Sequence, residues 1–339
     1  MDAASLIRLG LGALRYRATG QPAPLNAMIA LTSRCNSRCA YCDIWSHRST
    51  EMSTEELLNL IDALADRGTR RVGLWGGEPL VRADIGRLIG RCRERGIWAS
   101  VDTNGYLFPA RWRSLREASH VVFSLDGRGP AHDANREAGA QPRVMRALET
   151  ARERGFSYWT LSVLTRHNLG EIDWLLSLAE RMGHRAAFQV LHHTPGLDGG
   201  KGAELLPPDE AYREALDRII AFKEAGRPVA NSLSALRLLR GWPSFAEPTS
   251  PRAHPGLPCL AGELYVNIDA DGTVMPCSLV GGQRRWLSWR EVGLDAALEA
   301  ARQRPCQSCS ATAFTEYNLL FGLNPRPVAE WVRGLLFAG

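Results

Sequence analysis

Cys35, Cys39 and Cys42 fall within one short stretch, LTSRCNSRCAYCDIW (31–45). Thiolates are soft ligands that suit zinc or iron–sulfur clusters. A protein-saturated site of either kind takes four ligands, so this loop is one short. Two readings follow. The three thiolates hold three corners of a [4Fe–4S] cubane and leave the last iron to a non-protein ligand. Alternatively, His47, just past Cys42, completes a structural zinc site.

A second group lies late in the chain, at Cys259, Cys277, Cys306 and Cys309. Between the first two, LYVNIDADGTVMPC reads as a β-hairpin, because alternating residues flank an Asp-Gly turn. The hairpin brings Cys259 towards Cys277, and the CQSC at 306–309 closes the set. Four thiolates saturate either a zinc ion or a [4Fe–4S] cluster. Cys92, alone on a predicted helix, reads as a small buried hydrophobe. Eight cysteines with no secretory segment ahead of them read as metal-binding or catalytic, not as a disulfide framework.

The elements that must position these groups show a regular alternation. AMIAL, RRVGLW, IWASV, HVVFSL, YWTLSV and AAFQVL are short apolar runs rich in β-branched residues. Between them lie segments of helical period such as 54–68, 83–96 and 171–183, several ending in glycine. Strand–helix alternation of this kind implies parallel βαβ units. Six units predict an α/β fold built on a partial (β/α)6 TIM-like barrel, with a small C-terminal hairpin-containing iron–sulfur module.

The predicted division is a helical preface (1–26), the barrel core (27–205), a helical and Pro-rich linker (206–258), the cysteine module (259–310) and a C-terminal segment (311–339). In the preface, Leu6, Ile7, Leu11 and Leu14 share one helical face, opposite Arg8 and Arg15. Such a helix either packs on its own domain or lies on a membrane surface.

In barrel-like α/β folds, chemistry gathers at the carboxyl ends of the strands. The distinctive motifs fall there. The cysteine loop follows strand one, GGEP (76–79) strand two, and DTNG strand three. SLDG, LTRHN and LHHTPG end strands four, five and six.

Composition narrows the function classes. The net charge of +5 is modest, and the basic residues, nearly all arginine, are scattered along the helices instead of forming a tract. This argues against nucleic-acid binding. No run approaches the ~18 apolar residues of a membrane span. The expected location is cytoplasmic, with a peripheral membrane contact through the preface as the variant.

The spacing Cys-x3-Cys-x-aromatic-Cys, with Tyr41 as the aromatic, resembles the signature of the radical S-adenosylmethionine superfamily, and GGEP resembles its second motif. The resemblance implies that the open iron chelates the amino and carboxylate groups of S-adenosylmethionine. Reductive cleavage then yields a 5′-deoxyadenosyl radical that abstracts hydrogen from a substrate. It implies a flavodoxin- or ferredoxin-type electron donor.

On this resemblance, Gly76, Gly77 and Pro79 shape the backbone near the methionine amine, and Glu78 adds charge there. Ser124 and Asp126 match ribose-binding positions, with a capped turn as the alternative. Thr103, Asn104, Thr165 and Asn168 match polar strand ends, and Tyr41 sits beside the adenine or packs as an apolar residue. Trp45 and Trp75 flank the motifs, with barrel-top packing as their plain reading.

The late cysteines resemble a twitch module, or the start of a SPASM domain, and imply one auxiliary [4Fe–4S] cluster. A twitch-type dehydrogenation of a small-molecule or lipid substrate is the expected reaction. Maturation of a ribosomally made peptide is the alternative, and a non-enzymatic iron–sulfur or zinc protein comes third. Asp102, His192 and His193 are the candidate bases, each with a hydrogen-bonded structural role as its alternative. Glu316 and Tyr317 are candidates to reach back over the barrel.

Overall fold

A computed structural model of the chain describes residues 3–47, 50–192, 200–254, 256–283 and 285–336. The six expected strands are present as β1 (Asn26–Ala30), β2 (Arg71–Trp75), β3 (Trp98–Thr103), β4 (His120–Ser124), β5 (Tyr158–Leu164) and β6 (Arg185–Val190). All five neighbouring pairs among them are parallel. Their buried runs are the near-continuous apolar strands that two-sided coverage demands.

The helices between them show why the sequence folds so. Thr54–Asp66 buries Leu57, Leu58, Leu60, Ile61 and Leu64 on one face. Each such residue contributes roughly 1.5–3 kcal/mol. Its start is fixed by a capping box, with Ser53 and Glu56 each satisfying the other's backbone N–H. That cap also fixes the exit of the cysteine loop.

The late hairpin forms as expected, from β8 (Tyr265–Ile268) and β9 (Thr273–Met275), which pair antiparallel around the Asp271-Gly272 turn. The sequence does not reveal its docking. β8 pairs parallel with β1, Asn26 opposite Tyr265, so the hairpin and the short β10 (Leu287–Ser288) extend the barrel sheet to nine strands. The stretch expected as linker holds helices Asp209–Glu224 and Leu233–Arg240. It also supplies β7 (Thr249–Ser250), which pairs with β11 (Ser308–Cys309) in the CQSC turn.

The N-terminal helix Ala3–Thr19 packs on the protein, but by a different face from the one read in sequence. Leu9 and Ala13 are buried, whereas Ile7, Leu11 and Leu14 are more than half exposed. Gly12 decides the face: a Cβ there would lie 2.4 Å from Leu25. Tyr16 hydrogen-bonds Glu263, tying the helix to the late cysteine region.

Candidate active site

The cysteine loop leaves β1 and is held by backbone contacts to GGEP. Gly77 N–H donates to Thr32 O (2.7 Å) and Glu78 N–H to Arg34 O (2.9 Å). A Cβ on Gly77 would stand 2.3 Å from Arg34 O, and one on Gly76 2.5 Å from Thr32 O. Gly76 also adopts a positive φ of 133°. The close approach these glycines permit is therefore to the cysteine loop itself. Glu51 adds a second tie, accepting from Thr32 Oγ1 (2.6 Å) and Ser33 N (3.0 Å).

Glu78, expected to add charge near the methionine amine, follows the two glycines after β2. It is fully buried, and its carboxylate accepts from Leu80 N (2.9 Å), Thr103 Oγ1 (2.7 Å) and Asn104 N (2.8 Å). Burial pushes its pKa up to about 7, against the pull of those donors. It locks β2's end to β3's end. Pro79 opens the short turn Pro79–Val81 that follows. Asn104 in turn donates to Asn36 (2.8 Å) and lies 4.0 Å from the Cys35 sulfur.

The positions expected at the ribose and adenine are tied to one another and to the strand ends. Asp126 is wholly buried, paired with Arg136 at 2.6 Å, and accepts from Val163 N at 2.8 Å. Tyr41 donates to the same carboxylate (3.2 Å), and the Arg136 guanidinium stacks 5.0 Å from its ring. Asn168 spends its amide on Asp126 O and Val163 O, and its carbonyl on Thr165 N. Thr165 donates to Asn135 (2.7 Å). These residues brace the strand ends. Ser124, half-buried, shares the inward face of β4 with Val122, which lines the barrel cavity.

Arg136 is the residue that sequence reasoning missed. Its Nη1 lies 3.7 Å from the Cys39 sulfur, and Ser37 Oγ lies 3.6 Å from it. Arg136 thus sets a buried cation beside the loop. No pattern marks it among so many arginines.

The three loop cysteines are half-buried, whereas Cys259, Cys277, Cys306 and Cys309 are all less than 9% exposed and line one small cavity. Burial pushes the Cys277 thiol up to about 12 and Cys306 to about 11, with the neighbouring cysteines adding to the effect. Four crowded thiols in apolar surroundings fit a metal centre, whose charge makes thiolates of them. Among the described residues, no three His, Cys, Asp or Glu side chains gather tightly enough to hold a single metal ion. His47, the ligand of the alternative zinc reading, lines a polar groove. Cys92 is buried in the helix Ile85–Glu94, as expected.

The barrel encloses a cavity of about 360 Å3, lined among others by Trp75, Asp102, His192, Glu316 and Tyr317. Its wall includes Phe314, which also lines the four-cysteine cavity, so the two spaces adjoin. Burial pushes Asp102 up to about 6 and His192 down to about 4. His192 Nδ1 is buried with no hydrogen-bond partner among the described residues. Glu316 accepts from Ser232 N (2.7 Å) and Tyr317 from Arg71 (2.8 Å). Trp45, by contrast, stays on the loop, donating to Cys42 O under the Arg38 guanidinium. His193 lies outside the described residues.

Comparison with known proteins follows this geometry. Residues 29–179 match the family described as the radical SAM superfamily. The chain is 31% identical to the PqqA peptide cyclase of Ruegeria pomeroyi over 76% of its own length and 68% of the relative's. It is 32% identical to the mycofactocin maturase MftC of Mycobacterium ulcerans, over 76% and 69%. Streptococcus suis SuiB bound to its precursor peptide SuiA shares the fold, with a TM-score of 0.67 at 16% identity over 86% of this chain and 68% of that one. So does anSMEcpe with bound AdoMet and a peptide, at 0.63 and 19%, over 82% and 81%. A cysteine loop braced by GGEP at the carboxyl end of a parallel partial barrel, carried on a sequence with these relatives, is that of a radical S-adenosylmethionine enzyme, and the chain belongs to that superfamily.

Proposed function

We propose that the chain modifies a peptide by radical chemistry. The observation that supports this reading is the likeness, over three quarters of the chain, to proteins named as a PqqA peptide cyclase and a mycofactocin maturase. It replaces the sequence-based preference for a small-molecule or lipid substrate.

In this reading Cys35, Cys39 and Cys42 hold a [4Fe–4S] cluster, with S-adenosylmethionine at its open corner. When bound, the pair supplies a 5′-deoxyadenosyl radical. Arg136, Ser37 and Asn104 place donors around the loop sulfurs. Gly76 and Gly77 hold the loop in register with β2. Cys259, Cys277, Cys306 and Cys309 hold an auxiliary [4Fe–4S] cluster, walled from the substrate cavity by Phe314. Asp102, held close to neutrality in its midpoint by burial, accepts a proton from the substrate, and His192 offers a second acceptor. A flavodoxin- or ferredoxin-type protein donates the electron.

The test is anaerobic reconstitution with iron and sulfide, then incubation with S-adenosylmethionine, dithionite and short peptides encoded beside the gene. About eight irons per chain and a peptide mass change accompanied by 5′-deoxyadenosine are the expected results. Turnover on a lipid or sugar with no peptide change would overturn the peptide reading. About four irons with co-purified zinc would overturn the auxiliary cluster.

A further inference from the structure

Arg71 opens β2, at the end of the barrel opposite the cysteine loop. It lines the barrel cavity. Its Nη1 donates to Asn26 Oδ1 (2.5 Å) and Tyr317 OH (2.8 Å), and its Nη2 to Ser100 Oγ (3.3 Å). The guanidinium carbon lies 5.3 Å from the Trp98 ring and 5.4 Å from the Tyr317 ring. All these partners are neutral. Among the described residues no carboxylate stands within ion-pair distance of it. Among the described residues, the Nε–H and one Nη2–H have no hydrogen-bond partner.

A partly buried cation with only neutral partners is costly, and an arginine so fixed is preorganised for a planar anion. Other charges do not take the role. His120 and His192 also line the cavity, but burial pushes them down to about 3 and about 4, so they are neutral at pH 7. Asp102 feels the charge of Arg71 through space, but it stands four residues along β3 from Trp98, the cross-strand partner of Arg71, and forms no ion pair with it. Glu316 is engaged with Ser232. Arg71 is thus the only cation lining this cavity among the described residues.

We propose that Arg71 is an anion anchor at the floor of the barrel, gripping a carboxylate of the peptide substrate. The inference rests on the peptide reading above. From Arg71 to Trp75 the strand rises about 13 Å, so a carboxylate at the floor sets about four residues of extended chain between anchor and cysteine loop. The carboxylate is either the peptide's C-terminus or an acidic side chain.

Calorimetric titration of the reconstituted full chain separates these. The probes are N-acetyl-tetra-alanine as the free acid, its C-terminal amide, the amide with one Ala replaced by Glu, and hexanoate. At least one carboxylate-bearing peptide should bind tenfold or more tighter than the plain amide, and which one does so identifies the source. Arg71→Gln should erase that preference. Arg71→Lys, which keeps the charge but loses the fork, should lower it at least threefold and guards against a Gln variant that misfolds. Equal binding of acid and amide, preference surviving in Arg71→Gln, or no binding by any probe would overturn the anchor. Arg71-dependent binding of hexanoate without peptide binding would keep the anchor and overturn the peptide reading.

Discussion

The two cysteine groups use the same ligand in opposite settings. The early group sits on a loop at a strand end, half-exposed, and the protein spends its polar residues on holding that loop in place: Glu51, Glu78, Asn104 and the Asp126–Arg136 pair. The late group is buried in an apolar core cluster with Leu260, Tyr265 and Phe314, and the chain supplies all four thiols. In the proposed reading, accessibility follows ligand count: the site that accepts a further ligand lies where backbone and braces surround it, and the site that the chain saturates is sealed within the core.

The largest effect should come from the sulfurs themselves. Replacing Cys35, Cys39 and Cys42 with Ala should remove about half of the iron and reduce 5′-deoxyadenosine formation to background. Replacing the four late cysteines should remove the other half and leave uncoupled cleavage of S-adenosylmethionine measurable by chromatography. Loss of cleavage in both variants would break the division of labour.

Arg136→Met comes next. It strands a fully buried Asp126, and breaking such a pair costs about 3–5 kcal/mol. Denaturant unfolding should report that loss. Double replacement with Asp126→Leu should recover much of it, because an apolar pair leaves no orphan charge.

Asp102 sharpens the comparison in the barrel cavity, which adjoins the late cysteines at Phe314. Its unfolded carboxyl ionises near ~3.9, and in the folded protein near about 6. Between those values the folded state holds the extra proton, so stability falls as pH rises through the window. Asp102→Asn should be more stable than the parent at pH 8 by about 1–3 kcal/mol, with the difference gone below pH ~4. Melting curves against pH measure this; a constant offset would place the carboxylate outside the cavity's apolar influence.

The smallest effect is at the sealed side. Tyr16→Phe removes the hydrogen bond that ties the N-terminal helix to Glu263, and should cost about 1 kcal/mol without altering iron content. A loss of late-cluster iron would show that the helix guards the closed site.

Much of this was legible in the sequence, and the exceptions have physical causes. All six strands of the barrel appear as apolar runs, because parallel strands are buried on both faces. The cysteine spacings and the Asp-Gly hairpin are local signals. What was not legible depends on three-dimensional pairing. The contacts of Asp126 and Asn168 with Arg136 and the β5 backbone come from distant parts of the chain and leave no local trace. Glu78 looks like a free charge until Thr103 and Asn104 arrive from another strand. The buried face of the N-terminal helix was misjudged because Gly12 and Ala13 carry the contact, and small residues leave little trace in hydrophobic periodicity.

The pairing of β8 with β1 has a consequence for ancestry and engineering. The late cysteine region is woven into the barrel and cannot be exchanged as a bead on a string. Ending the chain ahead of residue 259 would strip β1 of one neighbour along Asn26–Ile29 and leave an apolar edge ready to recruit other chains. Any lineage that trims or swaps this region must therefore supply a substitute strand in the same register, or accept a sticky barrel.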